Sequence, residues 1–446
     1  PPAVPTSARR TRRGHTGREV PCMPKRALFF CALLAACAVL FCACASSQSA
    51  SAPPASAPQA ENEAGPQPLH MLHSSNRRAS KDAFTSEGKY FFQLRSDEAG
   101  GLNLLYLDYA SQSAIVLCEK PNCLHNDETC TSFFPLKYGS ASSCVVKNYL
   151  YLIFSGSKTE NVPPTLFRLS LNGQNRTEIS TLPSEFSYSN PIATDGEKLY
   201  TICNRLEIND EGIGHTFSNL ISIALENGAI ETLRKWNSDA YLWGAENSEM
   251  FIMVPLNSEG SSLNFNVESI NAAGELKNTE SFCQMSSSYF VADNKLYWYE
   301  KENASLCCRK LNSSSCEVLV QDIALAENEK AFLSFVFYPY IFLEIGDFSN
   351  NHGKFYYRVF NLEEQTNYEV RLFLFETSTD NKLIRIIDLV NDSFIVNNRE
   401  NYQEVIALNE DGQAVVFETW APVQSFISVN DLLNSVPNYH EIELPQ

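Results

Sequence analysis

The chain of 446 residues carries 34 Lys and Arg against 52 Asp and Glu, a formal net charge of −18. Seven of the basic residues and one acid precede residue 45, so the remainder stands at −24. A surface this acidic repels nucleic acid and anionic lipid head groups at long range, which excludes nucleic acid as a partner and suits solubility outside the cell.

Residues 1–22 read as an upstream extension of the reading frame and take no part in the fold. From Met23, "MPKRALFFCALLAACAVLFCACASS" has a basic head at Lys25 and Arg26, an apolar run from Ala27 to about Phe41, and small residues after it. That is the layout of a bacterial secretory signal, too short for a stable membrane span. Cysteine beside small residues at its end resembles a lipobox, where lipid is joined to a new N-terminal cysteine. Cys37 has the closer upstream match, Leu34-Ala35-Ala36, but apolar residues continue beyond it. Cys44 stands where the polar linker begins and is the expected lipidation site, with Cys37 the alternative; cleavage after "ACA" without lipid is a third outcome. Residues 1–44 are thus extension plus signal peptide. Residues 45–80 are rich in Ala, Ser, Pro and Gln, show no hydrophobic period, and are expected to be a disordered tether. Residues 81–446 then form one domain, lipid-anchored on the extracellular face of a cell membrane.

Within that domain the strand signals recur as a unit. Its opening strands are "GKYFFQL" (88–94), "KNYLYLIF" (147–154), "GEKLYTI" (196–202), "SEMFIMV" (248–254), "DNKLYWY" (293–299), "YPYIFLEI" (338–345) and "NDSFIVN" (391–397). They centre on Phe91, Tyr151, Tyr200, Phe251, Tyr297, Phe342 and Phe394, and each leads to a second strand ending in a polar turn, as in "NLISIALENGAIETL" (219–233) and "EVIALNEDGQAVVF" (404–417). Spacings of about 44 to 60 residues fit one four-stranded antiparallel blade per unit. A sheet this small cannot bury both faces alone; stacked around an axis, each covers its neighbours and no long edge is left open. Apolar residues on both faces, such as Leu220, Ile221, Ile223 and Leu225, fit sheets packed between sheets. No long stretch has the helical period, apart from a short turn near Asp431–Ser435. The expected fold is an all-β β-propeller of seven four-stranded blades. A β-sandwich of this length would need two domains, and a solenoid a shorter and stricter repeat.

Between the first and second units lies "LCEKPNCLHNDETC" (117–130). Cys118, Cys123, His125 and Cys130 form C-x4-C-x-H-x4-C, three thiolates and one imidazole, the ligand types of a closed structural zinc site. Pro121 and "NDET" make it a loop, which can wrap an ion where a strand cannot. Against zinc, the spacing is not that of a standard finger. A disulfide is the alternative outside the cell, as Cys118–Cys130, Cys123–Cys130 or a bond to Cys144, but it leaves His125 without a role. Nine cysteines follow Cys44, an odd number, so complete pairing within the chain is impossible. Cys203 reads as core, and Cys307 or Cys308 is within reach of Cys316 across "CCRKLNSSSC".

The hairpin units, the lipoprotein signal and the linker together resemble extracellular propeller lipoproteins of Gram-positive anaerobes, with repeats in the style of TolB-like propellers. The resemblance covers most of residues 85–417, and the cysteine segment is similar to a Cys-Lys-Pro-x-Cys-x-His segment after the first blade of such proteins. It implies an extracellular scaffold and an anaerobic habitat, which weakens the disulfide case, and it adds no catalytic residue.

No Gly-x-Ser-x-Gly elbow, His-Glu-x-x-His motif, phosphate-binding loop or dinucleotide fingerprint is present. "NDEG" (209–212) and "NEDG" (409–412) lack the alternating ligands of a calcium loop and read as turns. Trp236, Trp243, Trp298 and Trp420 read as packing between blades rather than as a sugar platform. The expected function is that of a non-enzymatic binding scaffold for an extracellular protein, peptide or glycan, with recognition by residues 118–143, 203–218 and 255–262. No catalytic residue and no cofactor beyond a structural zinc is expected. The alternative is a carbohydrate-active, lyase- or hydrolase-like propeller enzyme, which needs clustered carboxylates or a Tyr/His pair at the central channel.

Overall fold

Short aromatic-rich runs punctuated by Gly, Asn and Asp turns fold into antiparallel strands, because alternate side chains can be buried on either face of a sheet. A computed structural model describes residues 67–72, 81–94, 101–157, 160–208, 212, 214–256, 263–285, 289–349, 353–374, 382–408 and 414–445, all within one unit, Ala60–Gln446. Both lipidation candidates, Cys37 and Cys44, and nearly all of residues 209–212, 255–262 and 409–412 lie outside the described residues.

After β1 (Leu69–Met71), the first sheet is β2 (Ala83–Phe84), β3 (Gly88–Leu94), β4 (Leu102–Asp108) and β5 (Ser113–Val116), with β6 (Phe133–Phe134) also on β4. The second is β7 (Ala141–Val146), β8 (Tyr149–Phe154), β9 (Thr165–Ser170) and β10 (Thr177–Thr181). A nine-stranded sheet holds two further runs of four. These are β11 (Ser187–Thr194), β12 (Lys198–Ile208), β13 (Gly214–Ala224) and β14 (Ile230–Trp236), then β15 (Tyr241–Asn247), β16 (Glu249–Pro255), β17 (Leu263–Asn271) and β18 (Leu276–Met285). Next comes the sheet of β19 (Tyr289–Ala292), β20 (Lys295–Glu300), β21 (Ser305–Lys310) and β22 (Glu317–Val320). It is followed by β23 (Glu329–Phe337), β24 (Tyr340–Asp347), β25 (Lys354–Asn361) and β26 (Thr366–Val370). The last sheet is β27 (Arg385–Val390), β28 (Ser393–Leu408), β29 (Ala414–Ser428) and β30 (His440–Glu441). The chain is all-β, as expected. Its one described α-helix, α1 (Val429–Leu433), starts two residues before the expected turn, where Ser428 Oγ accepts a hydrogen bond from the Asp431 amide at 3.0 Å.

Successive sheets pack face to face. On β8, Leu150, Leu152 and Phe154 enter the core shared with the first sheet, while Tyr151 and Ile153 enter the core shared with the next run. On β12, Leu199 and Cys203 face back, and Tyr200 and Ile202 face forward. Burial on both faces is why these strands read as nearly continuous apolar runs. Each strand expected to open a unit is the second strand of its run, so the repeat is offset by one strand. The first strand β7, "ASSCVV", carries small residues, whereas β15 and β19 carry aromatics, and the first strands of successive runs approach one another, as β11 and β15 or β19 and β23 do.

Two elements depart from expectation. Leu69–Met71, inside the 45–80 stretch expected to be a tether, forms β1 and pairs with both β11 and β15, joining two runs of four. Leu69 is buried there, so a short apolar triplet overrides the polar composition around it. The segment expected to give a second and third strand at 404–417 is instead the far half of β28 and β29. Their ladder continues from Arg399↔Val423 to Leu408↔Ala414, beyond the last pairs of β27 and β30, as a two-stranded ribbon. Tyr402 and Trp420 face each other across it, 5.7 Å between ring centroids, and both are exposed.

First and last sheets meet without exchanging a strand. Their seam packs Phe91, Leu105, Leu107 and Ala114 against Ile395, Phe426 and Ile442. Lys89, fully buried, bonds Asp82 Oδ2 at 3.1 Å and Gln424 Oε1 at 2.7 Å. Asp388 stands in the same seam. Burial pushes its carboxyl up to about 6, against the Leu389 amide (2.9 Å) and the Lys89 charge and with the help of Asp82. The folded state therefore holds this proton more tightly than the unfolded chain, and the stability so gained is present below about pH 4 and lost as pH rises through 6. Asp388→Asn is expected to stabilise the protein by about 1–2 kcal/mol at neutral pH and to change nothing near pH 4. Urea midpoints at the two pH values check this.

Candidate metal centre

The first sheet has a broken outer strand. β5 pairs with Leu105–Asp108 of β4, and β6 pairs with Leu102 and Asn103 further along the same strand. Two hydrogen bonds bring the halves toward each other, Leu117 N to Leu104 O at 3.0 Å and Leu104 N to Ser132 O at 2.8 Å. The chain leaves the sheet after Leu117 and rejoins it at Ser132. Residues 118–131 are thus an excursion from the outer edge of this sheet, rather than a simple link between sheets.

Within the excursion all four expected ligands converge. One donor atom from each of Cys118, Cys123, His125 and Cys130 lies within 4.8 Å of every other. A tetrahedral zinc with arms of about 2.3 Å to sulfur has edges of about 3.8 Å, so a contraction of about 1 Å closes the site. Local backbone achieves this. Asn122 and His125 adopt left-handed conformations, at φ +57° and +54°, which fold the Cys118–His125 stretch back on itself. Asp127 Oδ1 accepts from the Thr129 amide at 2.8 Å, a turn that returns Cys130 toward His125. Cys118, Cys123 and His125 are half-buried and Cys130 is buried.

Burial pushes the Cys130 thiol up, but bonds from the Ser132 hydroxyl (3.0 Å) and His125 Nδ1 (3.3 Å), with help from the Ser132 amide and Cys118, bring it down to about 6. Cys118 goes the other way: burial, with the neighbouring thiols, raises it to about 11. One thiolate is thus already favoured, and a cation would deprotonate the others. This set of soft donors is that of a closed structural site and can hold a metal such as zinc.

The second sheet braces the loop. Arg176 Nη1 donates to Phe133 O at 2.7 Å and Nη2 to Glu128 O at 3.0 Å, and its guanidinium lies 4.8 Å from the centre of the Phe134 ring. Gly173, at φ +78°, lets the β9–β10 turn pass close by, since a Cβ there would meet Leu117 O at 2.3 Å. Neither residue stood out in the sequence, and only the pairing of β9 with β10 brings them here.

The other cysteines stand apart. Cys144 and Cys203 pack in the core between the second sheet and the next run, and burial pushes both thiols up to about 12. Trp236 and Trp243 are packed in separate cores, whereas Trp420 is exposed on the ribbon, so the four tryptophans form no common platform. Among the described residues, no other group of three or more His, Cys, Asp or Glu side chains converges as the loop does.

No protein-family model and no curated protein sequence matches the chain. Solved structures do. The β-propeller domain of the Trilobed protease from Pyrococcus furiosus is 9% identical, covers 84% of this chain and 99% of that one, and gives a TM-score of 0.42. TolB from Acinetobacter baumannii is 10% identical over 75% and 78%, with a TM-score of 0.30. Within this chain, successive four-stranded antiparallel sheets packed face to face are the architecture of a β-propeller. A puromycin-hydrolysing peptidase from Mycobacterium tuberculosis is 12% identical over 80% of this chain, with a TM-score of 0.40, and the propeller chain spans 57% of that peptidase's length.

Several of the matched structures are enzymes, peptidases and oligogalacturonate lyases among them, so the expectation that this chain is no enzyme is withdrawn. A propeller is a scaffold that carries catalysis in some proteins and not in others, so the fold decides neither way. Missing motifs were a poor ground for exclusion, since a general base can be any suitably placed carboxylate.

Proposed function

We propose that the chain is a surface lipoprotein, joined to lipid at Cys44 or at Cys37, whose seven-bladed propeller is stapled at its first blade by a zinc ion on Cys118, Cys123, His125 and Cys130. In this reading the propeller presents its loops to an extracellular protein, peptide or glycan. The observation that carries it is the convergence of four soft donors on an excursion with no ladder of its own. Recognition is supported by the long β12–β13 hairpin, where Leu206 and Ile208 are exposed. Asn204 and Leu206 of this hairpin also line a cavity of about 260 Å³ with Ser155, Ser157, Glu185 and Phe186.

Elemental analysis with thiol counting tests the proposal. One equivalent of zinc per chain is expected, with the three loop thiols unreactive until a chelator is added. Zinc-free protein whose loop cysteines are protected but reducible would replace the metal with a disulfide and overturn it.

A further inference from the structure

Three cysteines of "CCRKLNSSSC" (307–316) lie outside the metal centre. β21 and β22 pair Cys307 with Val318 and Cys308 with Glu317. Successive side chains on a strand point to opposite faces. Cys308 enters the core shared with the next sheet, and its thiol donates to Glu317 Oε2 at 3.6 Å. Cys307 is therefore on the other face, opposite Trp298 of β20 and Val318 of β22. Cys316 stands two residues before Val318, which places it on the Cys307 face, diagonally across the hairpin. The Cys316 side chain lies near enough to act on the Cys307 thiol, and its own thiol reaches Glu317 O at 3.8 Å. Cys307 is 1% exposed, while Cys316 is open to solvent.

We propose that Cys307 and Cys316 form a redox pair that closes to a disulfide by exchange with a small external disulfide. Exposure decides the order of events. The Cys316 thiolate attacks one sulfur of the external disulfide, the S–S bond breaks, and one thiolate leaves and is protonated. Cys307 then gives up its proton to the second departing thiolate and attacks Cys316 Sγ. Two protein thiols are oxidised and one external disulfide is reduced to two thiols. The bond pins β22, which is joined to β21 by three residue pairs with a register shift between two of them.

The test is to incubate the reduced full chain with oxidised glutathione, quench and unfold it, block the remaining thiols with a maleimide in denaturant, and map the peptides. The expected result is a Cys307–Cys316 linkage, a transient glutathione adduct on Cys316 alone, and Cys308 still labelled by maleimide. In Cys307→Ser the adduct on Cys316 should persist about tenfold longer or more, having lost its resolving thiol. A Cys308–Cys316 linkage, a stable adduct on Cys316 of the unaltered chain, or no oxidation of either residue would each overturn the pairing. Peptides from the unaltered chain decide the matter even where a variant folds poorly.

Discussion

Cys130→Ala should empty the metal centre and destabilise the propeller by about 3–5 kcal/mol, the upper range for single substitutions, where loss of a metal falls. Three losses combine. A ligand goes, so the remaining three hold zinc weakly. A side chain 1% exposed leaves a void beside Ser132. The excursion then keeps Arg176, the bonds of Asn172 and Gln174 to Glu119, the Lys137–Glu128 pair and its own turns, while the metal no longer ties Cys118 to Cys130. Hydrogen exchange should rise first at residues 102–105 and 117–134. Zinc content should drop from one equivalent to almost none, and the urea midpoint should fall. A chelator should move the midpoint of the unaltered protein in the same direction and leave that of the variant alone. If chelation moves neither, the loop holds no structural metal.

The next largest effect is expected at the seam. Lys89→Met keeps most of the side-chain volume and removes both the charge and the ammonium that Asp82 and Gln424 share. Breaking a buried pair from one side costs about 3–5 kcal/mol, and because Asp82 keeps 21% side-chain exposure the figure here is nearer about 2–3 kcal/mol. The ammonium also lies 4.9 Å from the Phe91 ring centre, and its attraction to the ring disappears with the charge. Since no strand is exchanged between the first and last sheets, the loss falls on the closure itself. Exchange should therefore increase at 83–94 and 385–397 before it does elsewhere. In the double variant with Asp82→Asn part of the stability should return, because the carboxylate charge that balanced the ammonium has gone with it.

Much of this was legible in the sequence, for identifiable reasons. The aromatic centres Tyr200, Phe251 and Phe342 sit on second strands, buried on both sides, and their apolar runs stand out from the turns around them. The first strand β7 did not stand out, since "ASSCVV" has neither bulk nor clean alternation. The four ligands could be found because their chemistry is rare and their spacing local. Arg176 could not, lying 46 residues from Cys130, where only the fold of the second sheet brings it near. Lys89 reads in "GKYFFQL" as an ordinary solvent-facing lysine, and its burial depends on Gln424, 335 residues away. β1 is three residues long, and its partners lie more than a hundred residues downstream.

The chain preceding residue 67 is joined to the propeller through β1, ahead of the first sheet. For a domain tethered as proposed, any tension on the anchor reaches β11 and β15 first. Gln67 N to Asp195 O at 2.8 Å and Leu72 N to Ile192 O at 2.9 Å extend the paired stretch at both ends. β1 is antiparallel to both neighbours, so a pull along it loads these bonds in shear, all of them sharing the force, instead of peeling them one by one. The first–last seam, held by packed side chains and by the backbone bridge between Ser113 and Glu443, takes no part in that ladder.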